Sequence, residues 1–395
     1  MLNPLEALRD CLNCGDVFET GFIKSINSGY EVTQWIGGSR GADYIYVYNN
    51  GYFVNIKYLP TSKFISRRRG GRERAEEVYK VSKEVIEGKI LLYLGFSRSG
   101  YFHPHVCIAN EGVVKCCSCR NLEEDDKLSL EVASMFKPIG DEDRLVRLYL
   151  STIPKLSNEI LNTVMRSGAK RVFHREYAMR LYESLYKPGL SLLTTMALST
   201  AQRRIQSLST KISHILELAI IAKIVNALDG ISLTEYWYIE FTKNTPLTII
   251  KSRITGKEYT IFYQSSILPH ILPGIIRGAP RHLIPDIVVF EGEVKDAPQR
   301  GLYRLVEAGK VPELVVEVKT GLIYSKWERP EYIVKQVKEY KELLKPKNTM
   351  IVFLKDADFF LKMKLRAMEV MVFENIVHED VQKKFKNYIL KILNT

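Results

Sequence analysis

Pro285-Asp286-Ile287-Val288-Val289-Phe290 and Pro312-Glu313-Leu314-Val315-Val316-Glu317-Val318-Lys319 are the two stretches on which the reading of this chain turns. Both are short, β-branched runs bounded by proline or glycine, the composition of strands. Side chains alternate along a strand, so Glu317 and Lys319 share one face. Leu314, Val316 and Val318 take the other face, which is predicted to enter a core. Unpaired charge is costly to bury, so an acid and a lysine ending an apolar strand need a reason. Asp286 and Glu317 offer the hard oxygen ligands that Mg²⁺ prefers, with Lys319 beside them.

Downstream, Glu331-Tyr-Ile-Val-Lys-Gln336-Val-Lys-Glu-Tyr340-Lys-Glu-Leu-Leu has helical periodicity, and Gln336 and Tyr340, four apart, share a face. Pro-Asp, a spacer, Glu-Val-Lys and then Gln-x-x-x-Tyr on a helix together resemble the PD-(D/E)XK nuclease superfamily, specifically its RecB-like branch. A narrower similarity is to McrC-type nuclease subunits. There the match is an aromatic strand ending in Tyr263-Gln264 ahead of Pro285-Asp286, although McrC-type chains more often carry Asp-Ala-Lys-Tyr where this one has Glu317-Val318-Lys319-Thr320. The resemblance implies a restriction-endonuclease-like α/β fold over residues 208–395, a mixed sheet flanked by helices in the order αββββαβαβα. It implies Mg²⁺ (or Mn²⁺) held by Asp286, Glu317 and the carbonyl of Val318. Lys319 then orients or deprotonates the attacking water, and Gln336 and Tyr340 fix Lys319 and a phosphate. Such folds open with a helix carrying an acid toward the metal. Glu217, in the apolar helix Ile212–Leu228, is the candidate for that extra ligand.

At 395 residues the chain can hold two or three domains, and 46% hydrophobic with 26% charged residues marks a globular protein. The net charge of +12 favours an anionic partner such as nucleic acid, and the nuclease resemblance implies DNA over RNA. Residues 1–140 read as a mostly β domain. In it Asp43–Tyr48 and Tyr52–Tyr58 flank Asn49-Asn50-Gly51 as a hairpin. A glycine-flanked cluster, Arg67, Arg68, Arg69, Arg72 and Arg74, could neutralise phosphates or lie as a solvated loop. Cys11-x-x-Cys14 and Cys116-x-x-Cys119 could close a structural Zn²⁺ site, or be buried cysteines at a coincidental spacing. His103 and His105 share a strand face but read as ordinary strand histidines.

Residues 141–207 read as a helical middle region. Its segments are 143–150, 157–167, 175–186 and a run over 192–228 broken near Ser207–Thr210, with Pro188-Gly189 as a turn and Gly230 as a helix stop. Arg166, Lys170, Arg171, Arg203 and Arg204 either line a nucleic-acid channel or form a solvated face. No Gly-x-x-x-x-Gly-Lys-Ser/Thr loop occurs, so translocation would need a separate ATPase or GTPase subunit. Met1–Asp10 lack a leader-like apolar segment and no run approaches membrane-spanning length, which predicts a cytoplasmic protein with reduced cysteines. Abundant Ile, Lys, Glu and Tyr suggest an archaeal thermophile. The expected function is a DNA endonuclease of restriction, antiviral defence or repair, with a homodimer left open. Two alternatives stand beside it: a catalytically silent nucleic-acid-binding or assembly subunit that keeps the fold, and a zinc-organised regulatory protein.

Overall fold

The computed structural model describes residues 119–394 apart from 135–139, 175–178, 197–200, 240–244, 266, 268–282, 295–300 and 323–328; of the first 118 it describes Asp10, Cys11 and the backbone of seven strands. The arginine cluster from Arg67 to Arg74, the hairpin tip at Asn49–Gly51 and the side chains of Cys14, Cys116, His103 and His105 lie outside the described residues. The chain divides into two compact units, one of Met1–Ser151 with Lys187–Leu208 and one of Thr152–Tyr186 with Ser209–Thr395. The helical stretch 141–207 is shared between them.

The first unit carries β1 (Gly21–Ile26), β2 (Gly29–Ile36), β3 (Ser39–Val47), β4 (Val54–Pro60), β5 (Ile90–Phe96), β6 (Phe102–Asn110) and β7 (Val113–Ser118) as one sheet in chain order. The expected hairpin is the antiparallel β3–β4 pair, and β4–β5 pair in parallel. Short helices α1 (Asn121–Glu124) and α2 (Asp126–Ser134) follow, then the long α3 (Asp141–Arg166). Cys11 and Cys119 are joined as a disulfide with Cα atoms 5.2 Å apart, so both thiols depart from the reduced state expected. As bonded, neither sulfur can serve as a thiolate zinc ligand.

Helix α3 runs unbroken through Pro154, where two segments had been expected. A proline inside a helix costs one hydrogen bond, and the apolar stripe of Leu145, Tyr149, Ile153, Leu156 and Ile160, all buried, outweighs it. After β8 (Arg171–His174) come α4 (Met179–Tyr186) and α5 (Pro188–Met196). Pro188-Gly189 is thus the first turn of a helix rather than a loop, since proline at the first helical position loses no needed N–H. Asp126 Oδ1 accepts the N–H groups of Gly189 and Leu190, capping that helix. A Cβ on Gly189 would meet the Asp126 carbonyl oxygen at 2.4 Å, so only glycine fits.

Helix α6 (Ala201–Ala227) continues through Ser207–Thr210, where a break was expected. It ends with the left-handed conformation on Asp229 (φ 45°) rather than on Gly230. Gly230 is needed for another reason: a Cβ there would sit 2.8 Å from Ile250 Cδ1.

The second unit is a mixed sheet flanked by helices. Its strands are β9 (Gly230–Ser232), β11 (Thr248–Ser252), β12 (Glu258–Tyr263), β13 (Ile287–Glu291), β14 (Leu314–Lys319), β15 (Asn348–Phe353) and β16 (Met371–Phe373). Their spatial order is β16-β15-β14-β13-β12-β11-β9. The β9-to-β14 half is antiparallel, and β14–β15–β16 is parallel. Strand β10 (Tyr236–Ile239) leaves this sheet to pair in parallel with β8. Helices α7 (Tyr303–Glu307), α8 (Pro330–Leu344) and α9 (Phe359–Ala367) intervene between strands and α10 (Glu379–Leu393) follows the last, which agrees with the mixed, helix-flanked sheet expected for 208–395. Every residue of β14 is buried, so the core covers both of its faces, not only the Leu314–Val316–Val318 face. Among the described residues no helix is long and apolar enough to cross a membrane.

One basic residue expected at the surface is instead buried. Arg204 reaches Glu142 through Nε, and through its Nη2 at 2.9 Å from Oε2, a bidentate pair with both residues under a tenth exposed. Removing one partner strands a buried charge. Glu142→Ala should therefore lower the unfolding free energy by about 3 kcal/mol in urea titrations, whereas exposed Arg203→Ala should change it by under about 0.5 kcal/mol.

Candidate functional site

The register of three strands builds the site. Ile287 lies opposite Val316, so one step further Asp286 lies opposite Glu317. Tyr263 lies opposite Ile287, and the next residue, Gln264, sends its backbone N–H to the Asp286 carbonyl at 2.9 Å. Gln264, Asp286 and Glu317 are thus cross-strand neighbours at one end of β12, β13 and β14. Directly opposed residues in a sheet project to the same face, so their side chains meet. Lys319, two residues beyond Glu317, joins them.

Each carboxylate has a definite set of partners. Asp286 Oδ2 accepts the Val318 N–H at 2.7 Å, and Oδ1 accepts Gln264 Nε2 at 2.7 Å. Glu317 Oε1 accepts from Lys319 Nζ in a close ion pair. Glu317 Oε2 is fully buried and has no hydrogen-bond partner. Glu217, reaching in from α6, accepts Ser213 Oγ at 2.9 Å and Gln264 Nε2 at 2.9 Å, and its Oε2 lies 3.3 Å from His214 Nδ1. His214 Nδ1 also meets the Tyr263 hydroxyl at 3.0 Å. From α8, the buried Tyr340 hydroxyl donates to the Ile284 carbonyl at 3.2 Å and faces Glu317, while Gln336 Nε2 stands 3.5 Å from it. The Oε1 of Gln336 is buried without a partner.

The electrostatics follow from burial. Asp286 is 6% exposed, and desolvation, followed by the charges of Glu317 and Glu217, pushes its carboxyl well above the usual range; Lys319 and the Val318 N–H offset only part. Burial likewise raises Glu317, with Lys319 opposing. Glu217 behaves differently. Burial pushes it up, but His214 and the hydrogen bonds from His214, Gln264 and Ser213 together hold it down at about 2. Burial raises both Tyr340 and Tyr263, with neighbouring carboxylates adding to it, so both hydroxyls stay protonated donors.

Asp286, Glu317, Lys319 and Tyr340, all expected from the sequence, converge here. Gln336 lies one hydrogen bond away through Tyr340. Tyr340 donates to the Ile284 carbonyl and faces Glu317, a placement different from the expected grip on Lys319. Glu217 joins the network through the Gln264 amide. Sequence reading passed over Ser213 and His214, and took Tyr263-Gln264 only as part of the McrC-type similarity, without a role in the site. The i, i+3 and i, i+4 spacing from Ser213 and His214 to Glu217 was visible. The role of Gln264 depends on a strand pairing and on a left-handed backbone (φ 48°) that no local pattern announces. Among the described residues, no three Asp, Glu, His or Cys side chains form a ready cation cage. A Mg²⁺ site uses one or two carboxylates, water and substrate phosphate, so Asp286, Glu317 and the Val318 carbonyl are the residues that could hold one.

Gln264 is the hinge of this arrangement, because one amide satisfies two carboxylates from different elements. Gln264→Ala should destabilise the fold by about 2 kcal/mol through the buried acceptors it abandons. The loss should be measurable as a lower urea midpoint with unchanged slope.

No family model matches this chain, and no curated protein matches it. A solved structure, protein VC1899 from Vibrio cholerae, is similar over 83% of this chain and 75% of its own, at 9% identity and a TM-score of 0.25. A likeness of that size carries no argument about fold or chemistry.

Proposed function

We propose that this chain is a divalent-metal-dependent nuclease that hydrolyses phosphodiester bonds, acting as a DNA endonuclease. The observation that carries the reading is Glu317 Oε2. It is a buried carboxylate oxygen with no partner, next to Lys319 and opposite Asp286 in the sheet register. Unsatisfied anionic oxygen in a core is expensive, and a cation ligand is the chemistry that repays it. Asp286, Glu317 and the Val318 carbonyl would hold Mg²⁺ or Mn²⁺. When bound, that ion neutralises phosphate charge and acidifies a water.

The chain's own residues supply the rest. Lys319 keeps an ammonium beside the reacting position, where it can orient the water or stabilise charge in the transition state. The Val318 N–H fixes one oxygen of Asp286 and Gln264 fixes the other, so this carboxylate cannot rotate. Tyr340 and Gln336 form the wall on the α8 side. Glu217 acts through Gln264 on Asp286, with His214 balancing its charge. Partner motors, a biological role in defence or repair and a cytoplasmic setting are extensions of this reading.

Two measurements check it. With Mg²⁺ or Mn²⁺, wild type should nick closed circular DNA. Asp286→Ala should abolish nicking, and Lys319→Ala should reduce it on the order of a hundredfold while sparing metal binding. Separately, Mn²⁺ at about a hundred times its Kd should stabilise wild type by about 2.7 kcal/mol, and Glu317→Gln should lose that gain. Because Gln leaves the buried Lys319 ammonium without its counter-charge, the gain is read within each variant, with Mn²⁺ against chelator. A cleavage-silent binding subunit would instead bind DNA equally with and without Mg²⁺ and release no product.

A further inference from the structure

Strands β8 and β10 form a two-stranded parallel sheet in which Tyr236 pairs with Arg171 and Tyr238 with Phe173. Alternation divides these residues cleanly. Val172, Trp237 and Ile239 are buried on one face. Arg171, Phe173, Tyr236 and Tyr238 stand on the other, all exposed or half-exposed. Three aromatic rings with a guanidinium on an outward sheet face are an unusual use of large apolar area, because such rings normally enter a core.

The rings are mutually braced. Phe173 lies 5.8 Å from Tyr236 and 5.7 Å from Tyr238, and Tyr236 lies 5.8 Å from Tyr238, with interplanar angles of 48°, 64° and 78°. Tilted and edge-on contacts of this kind hold the rings in place, and Tyr238 stays exposed. Arg171 sits over two of them, its Cζ 5.9 Å from the Phe173 centroid and 5.8 Å from that of Tyr236. The nearby acid, Glu235, is matched by Lys170 at 2.6 Å and accepts the Tyr236 hydroxyl. Arg171 forms no ion pair among the described residues, so its charge is left to face solvent.

We propose that this face is a binding platform for single-stranded nucleic acid, stacking unpaired bases on Phe173, Tyr236 and Tyr238 while Arg171 pairs with a phosphate. Every base has a π-face, so aromatic rings bind bases without regard to sequence, and a guanidinium on the rings adds both stacking and charge. Duplex DNA hides its base faces and cannot use such a surface, whereas a chain of net charge +12 draws in the polyanion. The proposal goes beyond the nuclease reading and does not need it, since it concerns binding alone.

The test is fluorescence anisotropy in EDTA with a labelled 20-nucleotide oligothymidine and a duplex of equal length. The wild-type chain should bind the single strand more tightly than the duplex. Tyr238→Leu should weaken single-strand binding on the order of tenfold, and Tyr238→Phe should leave it near wild type, because the ring and not the hydroxyl stacks. Arg171→Ala should also flatten the dependence of log affinity on log salt by about 0.7, the loss of one phosphate contact on a single strand. Circular dichroism melts of each variant establish folding. Equal affinity of Tyr238→Leu and wild type, or tighter binding of duplex, overturns the proposal. So does self-association in size-exclusion chromatography that Tyr238→Leu abolishes, since that would assign the face to a second copy. Failure of the wild-type chain to cleave DNA in Mg²⁺ or Mn²⁺ while this binding is intact would refute the nuclease reading and leave the platform standing.

Discussion

Asp286 accepting the Val318 N–H is the contact on which the geometry of the candidate site depends. It occurs one residue before β13 formally begins, where the carboxylate supplies the acceptor for the Val318 N–H. A side chain thus completes the pairing that backbone would otherwise make. The consequence is positional. Asp286 is locked against the strand carrying Glu317 and Lys319, and β12 on its other side delivers Gln264. Three strands converge because their register is fixed by buried valines and isoleucines. A slip of one residue would turn every one of them to the wrong face.

The mixed sheet was largely legible because β13 and β14 are dense, short β-branched runs with proline before them, and because α8 repeats apolar residues at helical spacing. What escaped was non-local. Pro154 and Ser207–Thr210 look like interruptions to local propensity, yet α3 and α6 run through them because long apolar stripes are buried along both. Pro188-Gly189 has turn chemistry, but its proline suits a helix start and its glycine suits close backbone approach to α2. Arg204 reads as a surface base until Glu142, far away in sequence, is folded against it. In the site, Asp286, Glu317 and Lys319 declared themselves by being charged in apolar strands. Gln264 and His214 did not, because a neutral amide and an imidazole are unremarkable until the acids they serve are placed beside them.

The distribution of positive charge around the site explains why its acids are not equivalent. Lys319 is committed to Glu317, and His214 is committed to Glu217. Asp286 has no ion pair of its own among the described residues; it is held by N–H dipoles from Val318 and Gln264 while two carboxylates press on it. Dipoles fix geometry well but compensate a buried charge only partly. Asp286 therefore has the most to gain from a cation, and it is also the acid whose orientation is most constrained. A protein that needed only stability at this point could replace the cluster with apolar side chains, as it does along the rest of β13 and β14. Keeping a strained glutamine, an orphaned glutamate oxygen and a crowded aspartate at the end of an otherwise apolar sheet is a stability cost that a folding role alone does not account for, and the proposed ligand chemistry would.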